Sequence, residues 1–322
     1  MIVLLPLAIL AQTNSRLDQK KEDDVIRVET NLVTVPVTVK TRDGAFVSDL
    51  SLKDFHIYED GVEQEISRFD TVDQPFTVTL MLDVSDSTRS ELSEIQNAAL
   101  AFLDELHSDD RAVIVGFDKQ IVSISEPSSD RGRLLQIVRA VKTGGGTAIY
   151  DAVETVVRAK QLRIAGRKAI VILTDGIDTS SVNSTLESSL ALASAQYALI
   201  YPIQYNSVRE ITAKRLSDSD FPPTVYTTPS GESLTKAYDR GTRYLQSLAR
   251  TSGGRFHYAD NVKNLRRAFA LIAQELRQQY SLSYYPKNKA TSTGKRRIKV
   301  EVSVPQAVIH ARESYSYKSS SP

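Results

Sequence analysis

The spacing of hydrophobic positions along this chain changes character twice. From Leu32 to Val39 the sequence alternates with period two, which predicts a strand with one solvated face. Arg42-Asp43-Gly44 and Glu59-Asp60-Gly61 are turn signals, and Phe55–Tyr58 followed by Gln64–Phe69 reads as a strand and its return. No helix of useful length fits residues 28–74, so they are expected to form a small antiparallel β-unit. After Pro75 the pattern becomes one of nearly continuous apolar runs, Thr77–Leu82, Ala112–Phe117, Ala169–Leu173 and Ala198–Ile203. Such runs suit parallel strands covered on both faces. Amphipathic stripes lie between them, with Leu92, Ile95, Ala99, Phe102, Leu103 and Leu106 on the first and Thr88-x-x-Glu91 placed to cap it. Further stripes run through Leu134, Ile137, Val138 and Val141, through Ala152, Val153, Val156 and Val157, and through Leu265, Phe269, Ile272 and Leu276.

Alternating strands and helices predict an α/β fold over residues 75–279, a doubly wound, mostly parallel sheet of Rossmann-like type. Asp118–Ser125 follows its strand too closely for a crossover and is expected as an antiparallel edge. Residues 206–240, with Pro222-Pro223, Pro229 and Ser230-Gly231, read as an irregular surface excursion. Period two returns at Ser281–Tyr285 and Arg297–Val304. These C-terminal strands, residues 280–317, are expected to pair with the N-terminal unit, so that a small β-sandwich built from both ends flanks the α/β domain.

Charge and composition remove several functions. Among 322 residues, 40 basic and 39 acidic side chains leave a net charge of +1, too little for a basic field that would hold nucleic acid or an anionic membrane. Lys295-Arg296-Arg297 sits between strand-like segments and reads as a solvated hairpin. The absence of cysteine excludes a disulfide framework, a thiolate zinc site and a cysteine nucleophile. His56, His107, His257 and His310 show no spacing as metal partners. Residues 1–11 are apolar but too short to span a bilayer, and read as a secretory signal segment, with a buried strand as the alternative. Residues 12–27 read as a flexible leader. An exported protein is therefore expected, whether periplasmic, at the cell surface or secreted.

Chemistry concentrates in three short pieces, Asp83-Val84-Ser85-Asp86-Ser87, Gly144-Gly145-Gly146-Thr147 and Thr174-Asp175-Gly176. Two follow predicted strands and one opens a helix, so all three project to the C-terminal edge of the sheet, where open α/β folds bind ligands. They offer two carboxylates, Asp83 and Asp175, and three hydroxyls, Ser85, Ser87 and Thr147. An all-oxygen set of this kind suits a hard cation.

In this order and on these elements the pieces resemble the metal-ion-dependent adhesion site of von Willebrand factor A domains, over about residues 75–280. The flanking β-segments resemble those of secreted bacterial proteins related to that family. The resemblance implies Mg²⁺ (or Mn²⁺) held through the hydroxyls of Ser85, Ser87 and Thr147, with Asp83 and Asp175 acting mostly through bound waters. It also implies a non-enzymatic adhesion-type module whose open metal position takes an Asp or Glu carboxylate from a partner protein, and a last helix able to shift on binding. Asp86 departs from the family, which often has a small residue there; it is either a third carboxylate at the site or a side chain facing solvent.

Two other readings stand beside this one. One is a scaffold subunit of an envelope assembly in which the metal is structural. The other is a metal-dependent phosphoryl-transfer hydrolase with Asp83 as nucleophile. Against the hydrolase, Ser85 stands where such enzymes carry a second carboxylate, and Thr147-Ala148-Ile149 replaces the Lys-Ser/Thr sequel of a phosphate loop.

Overall fold

A computed structural model describes residues 32–71, 74–89, 91–159, 166–195, 198–205, 227–288 and 294–317. The expected signal segment and leader, residues 1–27, and the larger part of the 206–240 excursion lie outside the described residues. Four strands come first, β1 (Val33–Lys40), β2 (Phe55–Glu59), β3 (Val62–Gln64) and β4 (Ile66–Asp70). The alternating region begins with β5 (Phe76–Asp83), α1 (Leu92–Asp104), β6 (Arg111–Phe117), β7 (Ile121–Ile124), α2 (Arg131–Ala140) and α3 (Ile149–Arg158). It continues with β8 (Arg167–Thr174), α4 (Leu186–Ser194), β9 (Leu199–Tyr205), α5 (Leu234–Ser252), β10 (His257–Ala259) and α6 (Val262–Arg277). Last come β11 (Gln279–Tyr284), β12 (Gly294–Val302), β13 (Val308–Ala311) and β14 (Ser314–Tyr317).

The alternating region builds a six-stranded sheet in the order β10-β9-β8-β5-β6-β7. All its pairings are parallel except that of β7, the antiparallel edge that the short Asp118–Ser125 connection predicts. Every residue of β5 is buried, and alternate side chains enter opposite layers. Leu80 and Leu82 join Ile95, Phe102, Leu134, Phe269 and Ile272 on one face, while Met81 joins Val153, Val156, Ala193, Tyr244 and Leu248 on the other. Helices on both faces explain the uninterrupted apolar runs. Strand order reverses between β5 and β8, so a crevice opens at their C-terminal ends.

The first and last strands form two further four-stranded sheets, β13-β1-β11-β4 and β14-β12-β2-β3. They share one core, to which β1 contributes Val33, Val35, Val37 and Val39, β2 contributes Phe55 and Ile57, and β11 contributes Tyr280, Leu282 and Tyr284. Asp60 and Gly61, at φ 48° and 84°, make the tight turn between β2 and β3. Within this core the buried Glu59 carboxylate accepts hydrogen bonds from Tyr284 (2.7 Å) and Tyr315 (2.8 Å), with Arg296 3.4 Å away. Both tyrosines meet the same oxygen, Oε2, while Oε1 makes no hydrogen bond among the described residues and faces the Arg296 guanidinium.

The structure changes three sequence expectations. The return strand is split: β3 pairs with β2, but β4 crosses to the other sheet and pairs with β11. Thr88 does not cap α1, which starts at Leu92 with Glu91 as its N-cap and no side-chain cap. Its hydroxyl instead donates to the Ser85 carbonyl at 2.7 Å, closing a 3₁₀ turn over Asp86–Thr88. Finally, the described end of the 206–240 excursion enters α5, a 19-residue helix capped by the Ser233 side chain.

The α/β region and the sandwich are joined closely. Only Gln278 separates α6 from β11. Arg312, fully buried, donates to the Ser194 carbonyl at 2.7 Å, and His310 Nε2 donates to the Gly254 carbonyl at 3.0 Å. We take the domain boundaries near residues 75 and 279 as a proposal that proteolysis tests. Cleavage of the folded protein should leave fragments containing β1–β4 and β11–β14 bound together through size-exclusion chromatography; their clean separation would contradict the shared core.

A second expectation concerns α5. A Cβ on Gly241 would lie 2.3 Å from the Gly176 carbonyl oxygen and 2.7 Å from its carbon, so helix and loop meet backbone to backbone. Alanine is intrinsically the better helix former by about 1 kcal/mol. Backbone cannot step aside as a side chain can, and overpacking costs about 1–3 kcal/mol. Gly241→Ala should therefore lower the Tm, and an equal or higher Tm would refute the contact.

Candidate functional site

Neighbouring parallel strands place the acidic residues. β5 ends on Asp83, β8 ends on Thr174, and the two strands run in register through Leu82 and Leu173. The Thr174 hydroxyl donates to Asp83 Oδ2 at 2.6 Å, and the Ser85 backbone N–H donates to Asp83 Oδ1 at 3.0 Å. Asp175 comes next along the chain, its Oδ1 accepting from the Ile177 N–H at 2.9 Å. The Ser87 hydroxyl then bridges the loops, donating to Asp175 Oδ2 at 3.1 Å and lying 3.0 Å from the Ser85 hydroxyl. Asp83, Ser85, Ser87 and Asp175 thus form one continuous cluster, with Ser87 only half-buried and the other three buried.

The glycine loop is stitched to the same place. Gly144 N–H donates to the Val84 carbonyl at 2.8 Å, and the Asp86 N–H donates to the Gly145 carbonyl at 3.3 Å. A Cβ on Gly144 would fall 1.8 Å from Asp118 Oδ2, and one on Gly146 would fall 2.4 Å from the Ser180 hydroxyl, so a side chain at either position would displace these polar groups. Thr147 is anchored through its backbone. Its N–H donates to the Thr179 hydroxyl at 2.8 Å, and its carbonyl accepts from the N–H groups of Thr179 (2.8 Å) and Ser180 (3.0 Å). Asp86 belongs to the surface: it is exposed and pairs with Arg89.

Burial is the main influence on Asp83, and with the neighbouring Asp175 charge it pushes the carboxyl up to about 7, against the hydrogen bonds from Thr174 and Ser85. Among the described residues no three His, Asp or Glu side chains are grouped so as to hold an ion. The oxygens beside Asp83 and Asp175 are instead hydroxyls. Such a cluster can accept a hard cation, which would relieve the repulsion between its acids.

Sequence reasoning overlooked several contributors. Thr174 was visible in its motif, but its hold on Asp83 depends on the β5–β8 pairing. Gln204, fully buried near the end of β9, donates from Nε2 to the Asp175 carbonyl at 2.8 Å and accepts from the Thr242 hydroxyl at 2.9 Å. Tyr205 follows it. Both lie just past the apolar run that ends at Ile203, and β9 lies beside β8, so extending that strand by two residues was the available signal.

Comparison with known proteins bears on this geometry. Residues 78–177, which include all five of these oxygen-bearing residues, match the family model of the von Willebrand factor type A domain. An uncharacterized protein of Synechocystis is 29% identical over 109 residues, a match spanning 32% of this chain and 25% of that relative. Among solved structures, a von Willebrand factor type A protein from Catenulispora acidiphila is 11% identical, with 83% of this chain and 74% of that one covered and a TM-score of 0.49. Proximal thread matrix protein 1 from the mussel byssus, solved with a zinc-occupied MIDAS motif, is 14% identical, with coverages of 67% and 49% and a TM-score of 0.48. The vWF domain of the pilus tip protein Mfa5 from Porphyromonas gingivalis is 14% identical, with coverages of 62% and 94% and a TM-score of 0.46. The matched stretch runs from β5 to the loop after β8, and it is over this stretch that the chain is similar to the von Willebrand factor type A domain family.

Proposed function

We propose that this chain is a non-enzymatic protein-binding module that holds one Mg²⁺ or Mn²⁺ ion and uses it to engage an Asp or Glu carboxylate of a partner protein. The observation that carries the reading is the buried cluster in which Asp83, Ser85, Ser87 and Asp175 are joined by hydrogen bonds, with the Thr147 loop tied to it. Ser85, Ser87 and Thr147 would hold the ion through their hydroxyls, while Asp83 and Asp175 would act chiefly through water. The ion supplies a positive centre that attracts a carboxylate. Neutral alcohol ligands cancel little of that charge, so the attraction survives coordination.

The chain's own residues divide the remaining work. Thr174 and the Ser85 N–H orient Asp83, the Ile177 N–H orients Asp175, and Gln204 fixes the backbone from which Asp175 projects. Ionisation of Asp83, opposed by burial and by Asp175, becomes favourable beside a cation. The non-enzymatic reading rests on Ser85, which offers no second acid beside Asp83, and on the absence from the cluster of any histidine hydrogen bond among the described residues. None of the helices described is long and apolar enough to cross a membrane. An exported location is part of the proposal and rests on the apolar N-terminal segment.

Addition of Mg²⁺ or Mn²⁺ to metal-free protein should raise the Tm; a ligand present at a hundred times its Kd stabilises by about 2.7 kcal/mol. Thr147→Ala and Asp83→Asn should keep a native circular dichroism spectrum yet lose most of that rise, together with calorimetrically measured ion binding. A wild-type protein indifferent to both ions, or variants that respond as the wild type does, would overturn the metal reading. A partner screen with and without chelator then tests the carboxylate step. An adhesion module loses binding on chelation while staying folded, whereas a scaffold with structural metal loses its fold.

A further inference from the structure

Tyr205 ends β9 at only 6% exposure, and its phenolic oxygen has no hydrogen-bond partner among the described residues. The Ser87 hydroxyl lies close by without the geometry of a hydrogen bond, and the charges of Asp83, Asp175 and Glu91 all act on the phenol. Burial first, then these carboxylates, hold the phenol well above its ordinary pKa, so it keeps its proton. A buried hydroxyl left unpaired costs about 1–3 kcal/mol, and such groups are few in native proteins.

Acceptors on the protein are already engaged. Asp83 Oδ1 takes the Ser85 N–H, Asp83 Oδ2 takes the Thr174 hydroxyl, Asp175 Oδ1 takes the Ile177 N–H, and Asp175 Oδ2 takes the Ser87 hydroxyl. The Asp83 oxygens each keep a second lone pair, but those lone pairs also serve any water lying between the acids. The partner missing from Tyr205 therefore belongs to the space these groups surround.

We propose that Tyr205 is a positioning residue of the cation site, its hydroxyl hydrogen-bonding to an ion-bound water on the Ser87–Asp175 side. This rests on the cation reading given above. A divalent ion strengthens its waters as donors, which suits acceptance by the phenol oxygen. The phenolic O–H then remains free to donate to an oxygen of the cluster. No covalent bond changes, and the ring itself stays packed at the end of β9.

Tyr205→Phe removes only the oxygen, and Mg²⁺ alone is the probe. With 14 tyrosines and no tryptophan, the chain reports metal binding through a near-ultraviolet difference spectrum that arises without any indole contribution. Wild-type protein should show such a difference on Mg²⁺ addition. The variant should fold, match or exceed the metal-free Tm of the wild type, lose most of the difference spectrum, and bind Mg²⁺ about threefold to tenfold more weakly. Unchanged Mg²⁺ affinity and spectrum in Tyr205→Phe would overturn the assignment while leaving the cation site standing. A Tm loss equal with and without Mg²⁺ would also overturn it, since it would show that the hydroxyl serves only the protein's own structure. Failure of the wild type itself to bind Mg²⁺ would remove the cation reading and this inference with it.

Discussion

Two carboxylates withdrawn from water at the ends of adjacent parallel strands are the constraint around which this molecule is arranged. Asp83 and Asp175 lie where strand order reverses, and burial with mutual repulsion pushes Asp83 far from its ordinary behaviour. The surroundings answer that demand with uncharged oxygen and backbone N–H groups: Thr174, Ser85, Ile177 and Ser87 each fill one carboxylate lone pair. Close packing then holds these groups in place. Gly144 and Gly146 let their loop approach Asp118 and Thr179–Ser180, and Gly176 meets Gly241 of α5 backbone to backbone. The site is specified as much by where side chains are missing as by the ones present.

How much of this the sequence reveals depends on the range of the forces involved. The four apolar runs are legible because strands buried on both faces must be apolar throughout, and β5 is buried at every position. Asp83, Ser85, Ser87, Thr147 and Asp175 are legible as loop residues because strand ends converge on one edge. By contrast, the start of α5 is concealed because Ala237 and Gly241 open its inner face, and the helical spacing becomes plain only at Tyr244, Leu245, Leu248 and Ala249. The splitting of β3 from β4 is concealed for another reason. β4 finds its partner in β11, more than 200 residues along the chain, and no local pattern encodes that choice. Gln204 and Tyr205 are polar or amphipathic ends of a buried strand, so a reading that stops at the last aliphatic residue passes over them.

The sandwich solves a different problem with related means. β1 lies between β11 and β13, so neither end of the chain completes its sheet without the other. Glu59 is another buried acid: Tyr284 and Tyr315 both donate to its Oε2, and Arg296 lies 3.4 Å from its Oε1. The contrast between the two acids is instructive. One has its counter-charge within the chain, and the other is bordered by alcohols.

Because the α/β region is inserted between β4 and β11, tension has a defined route through the molecule. A pull applied through the chain before Val33 and after Tyr317 enters the sandwich directly, at β1 in one sheet and at β14, paired with β12, in the other. The load is then carried between the two sandwich sheets and bypasses the crevice between β5 and β8. A tether attached at either end can therefore be drawn taut without distorting the loops that carry Asp83 and Asp175, provided that the sandwich holds.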